Sequence, residues 1–350
     1  MERTLIAGLL VALTTLVASA QTSQNAPLPG GETAASVPAT FESAQELAAK
    51  GRLDQALAQL DQLAAQLPEP AGVERLRGMI SYQKEQFREA IEAFSKAASQ
   101  NPDDRESIEM LGVSLFRLGR FAEALPFLEK ARASVEPANI DPQYVLGLCY
   151  SDLQRYSDAR HAFAAQYGFP PESAEAYLLA ARLFLRREHT EEAATEASKA
   201  LEINPSLPLA HQLLGEVALA KGDIPAAIQE LEAERKLNPL NGVLYDRLGD
   251  AYLRNSQNTE ALQALNRAVL LEPNSTGPYI LLGEAFLKLK QPVQALHYLD
   301  RAVKMDPSNY VTHNLLGQAY RSTGQKEEAV REFKLVVDLQ HKQIPHAAGK

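Results

Sequence analysis

The chain has 350 residues, of which 35 are basic and 44 acidic, so its net charge is −9 at neutral pH. This charge argues against nucleic acid and anionic membrane surfaces as main partners, because both repel an acidic protein. A single cysteine excludes an internal disulfide framework, and a chain of this length is expected to split into domains or to form a solenoid.

Residues 1–20 have the pattern of a secretory signal peptide. Arg3 is positive, Leu5–Val17 is apolar, and Ala18-Ser19-Ala20 is a cleavage pattern before Gln21. A membrane anchor is the alternative, but the apolar run is shorter than the roughly 18 residues that a spanning helix needs. We therefore expect cleavage after Ala20, and a periplasmic or secreted mature chain without an integral membrane span.

Residues 21–40 are rich in Pro, Gly, Ser, Thr and Ala and contain no aromatic residue. Such a segment buries too little apolar surface to offset the entropy lost on ordering. We interpret residues 21–40 as a flexible leader that links the signal peptide to the folded part.

The stretch Gly242–Ser275 recurs along the rest of the chain with a period of 34 residues. Copies numbered from position 1 start at 37, 71, 105, 140, 174, 208, 242, 276 and 310, with one extra residue before 140. Position 8 is Gly or Ala in all nine copies, position 20 is Ala in all nine, and position 32 is Pro in seven. An alanine-rich composition alone does not produce this agreement, so the register is secure.

Each recurring residue has a physical role in a pair of helices, A and B. Small residues at positions 8 and 20 let the two backbones approach, and apolar positions 4, 7 and 11 form one face of helix A. Positions 24 and 27 continue the core on helix B, and the proline at position 32 ends that helix. Gly51, Gly119, Gly222 and Gly324 suit the turn between the helices.

The pattern resembles the tetratricopeptide repeat, a helix–turn–helix unit of 34 residues. The resemblance is carried by W-x2-L-G-x2-Y spacing and by the small residues and proline that follow it, here Tyr245, Leu248, Gly249, Tyr252, Ala261, Leu265, Ala268 and Pro273. It implies an all-α fold, namely an α-solenoid forming a right-handed superhelix of about nine repeats. The solenoid would cover residues 41–343, followed by a tail at 344–350.

Three deviations from the pattern carry their own expectations. Thr40 and Ser43 replace large apolar residues, so we expect the first repeat to be the weakest. Glu234 occupies position 27, which is usually apolar. The last helix B carries Leu335, Val336, Val337 and Leu339, and an uncovered apolar face there is expected to support self-association or capping by a partner.

The sequence contains no catalytic or metal-binding constellation. Zinc-protease, nucleophile-elbow and phosphate-loop motifs are absent, and we expect no enzyme activity, cofactor or metal site. His211 and His313 lie at position 4, where packing explains them. Cys149 is interpreted as a small buried residue, and His341 with His346 as a weak metal candidate at most.

The resemblance implies that positions 2, 5, 9, 12 and 13 of helix A line a concave groove. In the second to fourth repeats these positions are largely apolar, and from the fifth repeat onward they are mostly charged. The predicted partner-binding residues are Met79, Tyr82, Val113, Phe116, Tyr144, Leu148, Arg182, Arg186, Asp246, Asp250 and Arg254. Two alternatives stay open, since position 12 also suits a core edge and charged i, i+4 pairs simply solvate a helix.

We therefore expect a non-catalytic scaffold or adaptor that binds a protein or peptide partner in its groove. The alternative is a structural subunit of a cell-envelope, secretion or pilus assembly. An enzyme would need convergent polar residues, and a carbohydrate-binding protein would need exposed planar aromatics. A reader of C-terminal carboxylates is not expected, because positions 5 and 9 never combine Lys with Asn. The sequence leaves open whether the leader, through Leu28 and Val37, occupies the groove.

Overall fold

The computed structural model describes residues 39–132 and 142–343. Within these ranges the regular structure consists of eighteen α-helices and contains no strand. The chain forms two compact units that divide after Phe169. The predicted signal peptide, nearly all of the leader and the tail lie outside the described residues.

Unit 1 contains eight helices, or four A–B pairs. They are α1 (Phe41–Ala49), α2 (Leu53–Ala64), α3 (Val73–Gln83), α4 (Phe87–Gln100), α5 (Arg105–Arg117), α6 (Phe121–Arg132), α7 (Pro142–Asp152) and α8 (Tyr156–Tyr167).

Unit 2 contains ten helices, or five pairs. They are α9 (Ala174–Arg186), α10 (Thr190–Ile203), α11 (Ala210–Lys221), α12 (Ile224–Leu237), α13 (Gly242–Arg254), α14 (Asn258–Leu271), α15 (Thr276–Lys288), α16 (Pro292–Met305), α17 (Tyr310–Ser322) and α18 (Lys326–Gln343).

Within each unit every helix packs against the next, and each helix A also lies beside helix A of the following repeat. This arrangement confirms the predicted all-α fold of consecutive helix pairs. The sense of the superhelix stays a prediction.

The two helices of a pair meet where the small residue at position 8 lies against the side chain at position 24. A Cβ added to Gly78 would lie 2.7 Å from the Phe94 ring, and one added to Gly112 would lie 2.7 Å from Leu128 Cγ. Both Phe94 and Leu128 are fully buried. A larger residue at position 8 would therefore push helix B away and open the core.

The turn between helices A and B has the same left-handed residue in all nine repeats. Position 15 has a positive φ throughout the described pairs, between 59° and 84°. Glycine occupies it in the four repeats where the sequence predicted a tight turn. The other five use residues with a Cβ, namely Glu85, Gln154, Glu188, Ser256 and Lys290. In each of these five residues, the left-handed conformation that the turn requires costs about 1 kcal/mol.

The polar residues of the first repeat start its helix rather than weaken it. Thr40 Oγ1 accepts a hydrogen bond from Ser43 N at 3.1 Å, and Ser43 Oγ accepts one from Thr40 N at 3.2 Å. This reciprocal capping box satisfies backbone donors that a helix start otherwise leaves free. The two residues that led us to expect a weak repeat therefore have a specific structural role.

Glu234 is a second deviation that the structure explains. Its carboxylate is fully buried and accepts hydrogen bonds from Leu209 N at 2.8 Å and Gln212 N at 3.4 Å. Leu209 is the N-cap of α11 and supplies no capping side chain. The carboxylate from α12 therefore caps α11 and meets the positive end of that helix.

In three repeats, the side chain at position 4 contacts the carbonyl oxygen of the proline that ends the preceding repeat. The hydroxyls of Tyr245 and Tyr279 donate to the carbonyl oxygens of Pro239 and Pro273, each at 3.1 Å. In the last repeat His313 takes this place, with Nε2 3.0 Å from the Pro307 carbonyl oxygen and Nδ1 2.6 Å from Glu332. His313 is buried, which confirms its predicted packing role.

The contact between positions 8 and 24 gives a test of the fold. We expect Gly78→Ala to lower the free energy of unfolding by about 1–3 kcal/mol, because the new methyl group displaces the Phe94 ring. Phe94→Leu added to it recreates the pair that the first repeat uses, Ala44 with Leu60. Urea unfolding of the two single variants and the double variant should show less loss in the double than the sum of the singles. Simple additivity would contradict the proposed contact.

Candidate functional site

The six apolar residues predicted to line the groove belong to unit 1, and the structure buries half of them. Tyr82, Val113 and Leu148 are 6%, 4% and 6% exposed, whereas Met79, Phe116 and Tyr144 are half-buried. Their assignment to a partner site stays a prediction. For the three buried side chains, contact with a partner would require the core to open.

Aromatic packing explains the burial at position 12. The Tyr82 and Phe87 rings meet edge to face at 5.4 Å, and Phe116 and Phe121 lie 5.7 Å apart. The Arg117 guanidinium stacks 4.6 Å above the Phe87 ring. Burial also raises the pKa of Tyr82. These residues close the end of each helix pair, which agrees with the alternative of a core edge.

The charged residues predicted for the groove lie in unit 2, on the helices A. Asp250 and Arg254 form a bidentate pair on α13, with Arg254 Nε 3.0 Å from Asp250 Oδ1 and Arg254 Nη2 2.9 Å from Asp250 Oδ2. On α15, Lys288 lies 3.0 Å from Glu284 and donates to the Leu253 carbonyl oxygen at 3.2 Å. These pairs agree with the alternative of a solvated helix face.

Sequence reasoning missed Arg247, which lies at position 6 outside the positions expected in the groove. Its guanidinium is 3.7 Å from Glu216 and 3.4 Å from Asp246, so one cation forms ion pairs with two carboxylates. The sequence did contain a signal for Arg247. On neighbouring helices A, the predicted groove positions hold more acidic than basic residues, so a cation is expected nearby.

Asp246 is only partly satisfied among the predicted groove residues. Its Oδ1 has no hydrogen-bond partner within the described ranges, and it lies next to Gly277, where an added Cβ would be 3.3 Å away. Burial raises the pKa of Asp246; Arg247 opposes this shift, and the negative charges of Asp250 and Glu272 add to it. The folded state therefore holds this carboxylate at an energetic cost.

Sequence models of the tetratricopeptide repeat match residues 144–208, 213–278 and 286–349, which together make up more than half of the chain. The chain belongs to the tetratricopeptide repeat family. A further model, that of anaphase-promoting complex, cyclosome, subunit 3, matches residues 83–166 of this tetratricopeptide repeat protein.

One curated relative is the BBSome complex member BBS4 homolog of Drosophila melanogaster. It is 28% identical over 102 residues, which cover 29% of this tetratricopeptide repeat chain. The match spans about a fifth of that relative's own length, 21%.

Solved structures similar to this tetratricopeptide repeat protein include three that differ in coverage. MamA from Desulfovibrio magneticus is 25% identical with a TM-score of 0.46, covering 49% of this chain and 97% of its own. YrrB, described as a TPR protein with an unusual peptide-binding site, is 25% identical with a TM-score of 0.45, covering 53% and 95%. The APC/C hetero-tetramer Cut9-Hcn1 is 18% identical with a TM-score of 0.49, covering 83% and 57%.

Metal ligands, the single cysteine and membrane spans are the remaining functional features of the described residues. No group of three or more His, Cys, Asp or Glu side chains there is arranged to hold a metal ion. Cys149 is buried in α7, and His346 lies outside the described ranges. None of the helices within 39–132 and 142–343 is long and apolar enough to cross a membrane.

A cavity of about 410 Å³ lies between α4 and the turn after α5 in unit 1. It is lined by Arg88, Ile91, Glu92, Leu118 and Arg120. Arg120 is engaged by Glu123 through two contacts of 2.8 and 2.6 Å. The cavity contains none of the predicted groove residues.

The environment of Asp246 gives a test of the groove of this tetratricopeptide repeat protein. Because its pKa is raised in the folded state, the cost of the charged form is present at neutral pH and disappears as the pH falls below the unfolded value of about 3.9. We expect Asp246→Asn to raise the free energy of unfolding by about 0.5–1 kcal/mol at pH 7 and to change it little at pH 3.5.

Asp250→Asn is the matched control, because it removes a paired carboxylate from the same helix. It should leave the stability unchanged or lower it by up to about 1 kcal/mol at pH 7. Urea unfolding of both variants at the two pH values makes the comparison. A loss of stability in Asp246→Asn at pH 7 would show that this carboxylate stabilises the fold.

Proposed function

We propose that the chain is a non-catalytic scaffold or adaptor that binds a segment of a partner protein. The proposed site is the groove face of unit 2, defined by positions 2, 5, 9, 12 and 13 of helices α9, α11, α13, α15 and α17. The observation that carries the proposal is that this face holds accessible apolar side chains beside charged groups. At position 2, Val243 is 40% exposed and Val311 is 41% exposed.

The helix between these two valines has a glycine at the same position. Position 2 of α15 is Gly277, where an added Cβ would lie 3.3 Å from Asp246 Oδ1. The helices of the two valines therefore lie on either side of one where the Asp246 carboxylate, rather than an apolar side chain, lies beside this position. Exposed apolar groups beside charged ones are typical of protein interaction surfaces, where apolar contacts supply affinity and charges supply orientation.

Unit 2 is favoured over unit 1 because of the cost of exposure. A partner reaching Tyr82, Val113 or Leu148 would have to displace buried side chains, each worth roughly 1.5–3 kcal/mol of burial. In unit 2, Val243 and Val311 are accessible without such a rearrangement. Partner binding to them leaves the core of their helix pairs intact.

A structural subunit of a cell-envelope, secretion or pilus assembly is the second candidate. Exposed apolar residues on the helices B favour it, namely Leu270, Val293 and Val330. Such a subunit would use these outer residues rather than the groove face, which gives a direct way to separate the two functions.

Three valines at equivalent places provide the experiment. Val243, Val311 and Val293 are each the second residue of their helix, where an added aspartate is tolerated because it faces the positive helix end. We expect Val243→Asp and Val311→Asp to weaken partner capture from native extract by about tenfold or more. Val293→Asp, which changes a valine that is 68% exposed on a helix B, should capture normally.

Circular dichroism and thermal unfolding verify that all three variants are folded. Loss of capture in Val293→Asp alone would reject the groove and favour the assembly subunit. Equal capture by all three variants would reject both surfaces near these valines.

We also propose that the scaffold acts outside the inner membrane, after removal of residues 1–20. The apolar run and the small residues before Gln21 support this part of the proposal. Expression in a bacterial host should give a protein whose intact mass begins at Gln21 and which is recovered from the periplasmic fraction. An uncleaved protein in the cytoplasmic fraction would contradict it.

A further inference from the structure

The charged residues on the groove face of unit 2 form a nearly complete set of pairs. Asp250 pairs with Arg254, and Glu284 pairs with Lys288. Glu216 and Asp246 share the nearby Arg247. From α11 to α15, every cation that lies on or next to this face therefore has at least one carboxylate within ion-pair distance.

Helices α9 and α17 are the exceptions. On α17, Arg321 lies 5.9 Å from the centre of the Phe333 ring and has no carboxylate partner among the described residues. Helix α9 has two such cations. Arg182 at position 9 is half-buried and Arg186 at position 13 is exposed, and neither has an ion-pair or hydrogen-bond partner in the described part of the chain. They are four residues apart, so both side chains project from the same face of the helix. Two like charges at this spacing repel each other, which costs a few tenths of a kcal/mol.

Interactions within the folded chain account for only one of these two arginines. Arg186 lies in the last turn of α9, where a cation interacts favourably with the helix dipole. Arg182 lies a full turn earlier and is half-buried. Among the described residues, no carboxylate lies within ion-pair distance of it.

We propose that Arg182 and Arg186 bind the carboxylate of an acidic side chain on the partner segment. This inference rests on the proposed groove function and adds the chemistry of its ligand. Guanidinium groups donate parallel hydrogen bonds that match the two oxygens of a carboxylate, and such charge-assisted bonds are stronger than neutral ones. A carboxylate held between the two side chains also removes their mutual repulsion.

The apolar neighbours on α9 indicate what flanks the acidic residue. Leu178 and Leu185 are half-buried beside the core of the first two repeats of unit 2 and keep part of their surface accessible. The partner segment is therefore expected to carry apolar residues close to its acidic residue.

The experiment uses the full-length chain and fluorescein-labelled octapeptides, amidated at the C-terminus, that alternate Leu with Glu, Gln or Lys. Fluorescence anisotropy should show that the Leu–Glu peptide binds at least about tenfold more tightly than the Leu–Gln peptide, the ratio expected for one charge-assisted contact. The Leu–Lys peptide should bind more weakly than either. The preference for Glu should shrink as salt is raised.

Arg182→Gln with Arg186→Gln should abolish the preference for Glu over Gln, and Arg182→Lys with Arg186→Lys should keep part of it, because charge remains but the planar fork is lost. Arg267→Gln with Arg301→Gln is the matched control. It removes two arginines from the helices B α14 and α16, which lie outside the groove face, so the net charge changes equally and the preference should persist. Circular dichroism confirms that each variant is folded.

An equal affinity for the Glu and Gln peptides, or a preference that survives in the double Gln variant, would overturn the inference. A preference lost equally in the control with Arg267→Gln and Arg301→Gln would also overturn it, since the effect would then come from net charge. If partner capture depends on Val243 and Val311 while the Glu preference is absent, the groove function stands and only its acidic ligand is rejected.

Discussion

The close approach of helix A to helix B is the constraint on which the rest of the structure depends. It requires a small residue at position 8, because the side chain at position 24 occupies the space that a Cβ would need, as Leu128 does above Gly112. Once this contact fixes the rotation of helix A, positions 5, 9 and 13 project away from helix B. The residues that form the core therefore also determine which residues form the groove, although they are different residues.

The register and the fold class could be predicted because they rest on features repeated nine times. The role of a single residue that departs from the repeat pattern could not be predicted. A comparison of repeats shows only that such a residue differs from its counterparts. Thr40 and Ser43 satisfy each other's backbone donors, and Glu234 satisfies donors 22 and 25 residues earlier in the chain. A polar residue at an apolar position is stable when it finds a buried donor, and only three-dimensional structure shows whether that donor exists.

The candidate site shows the same limit. The position within the repeat predicts the direction in which a side chain points. Whether that side chain is buried depends on neighbouring residues, which vary between repeats. Tyr82 becomes buried because Phe87 stands at the start of helix B, and position 12 alone does not reveal this. On the charged face, the pairing depends on Arg247, which the repeat pattern assigns elsewhere. The direction of a side chain and the i, i+4 pairs within one helix were therefore predictable from sequence, whereas the extent of burial and the pairing between helices were not.

Three charged groups on one face of unit 2 have few or no charge partners. Asp246 holds a carboxylate that burial disfavours, and Arg182 and Arg186 hold cations that no described carboxylate neutralises. All three lie on the face of the helices A that points away from the helices B, whereas the buried carboxylate of Glu234 inside a repeat is hydrogen-bonded. These three charged groups therefore retain interaction energy on one face. Binding sites characteristically concentrate such costs, because the ligand supplies the missing contacts.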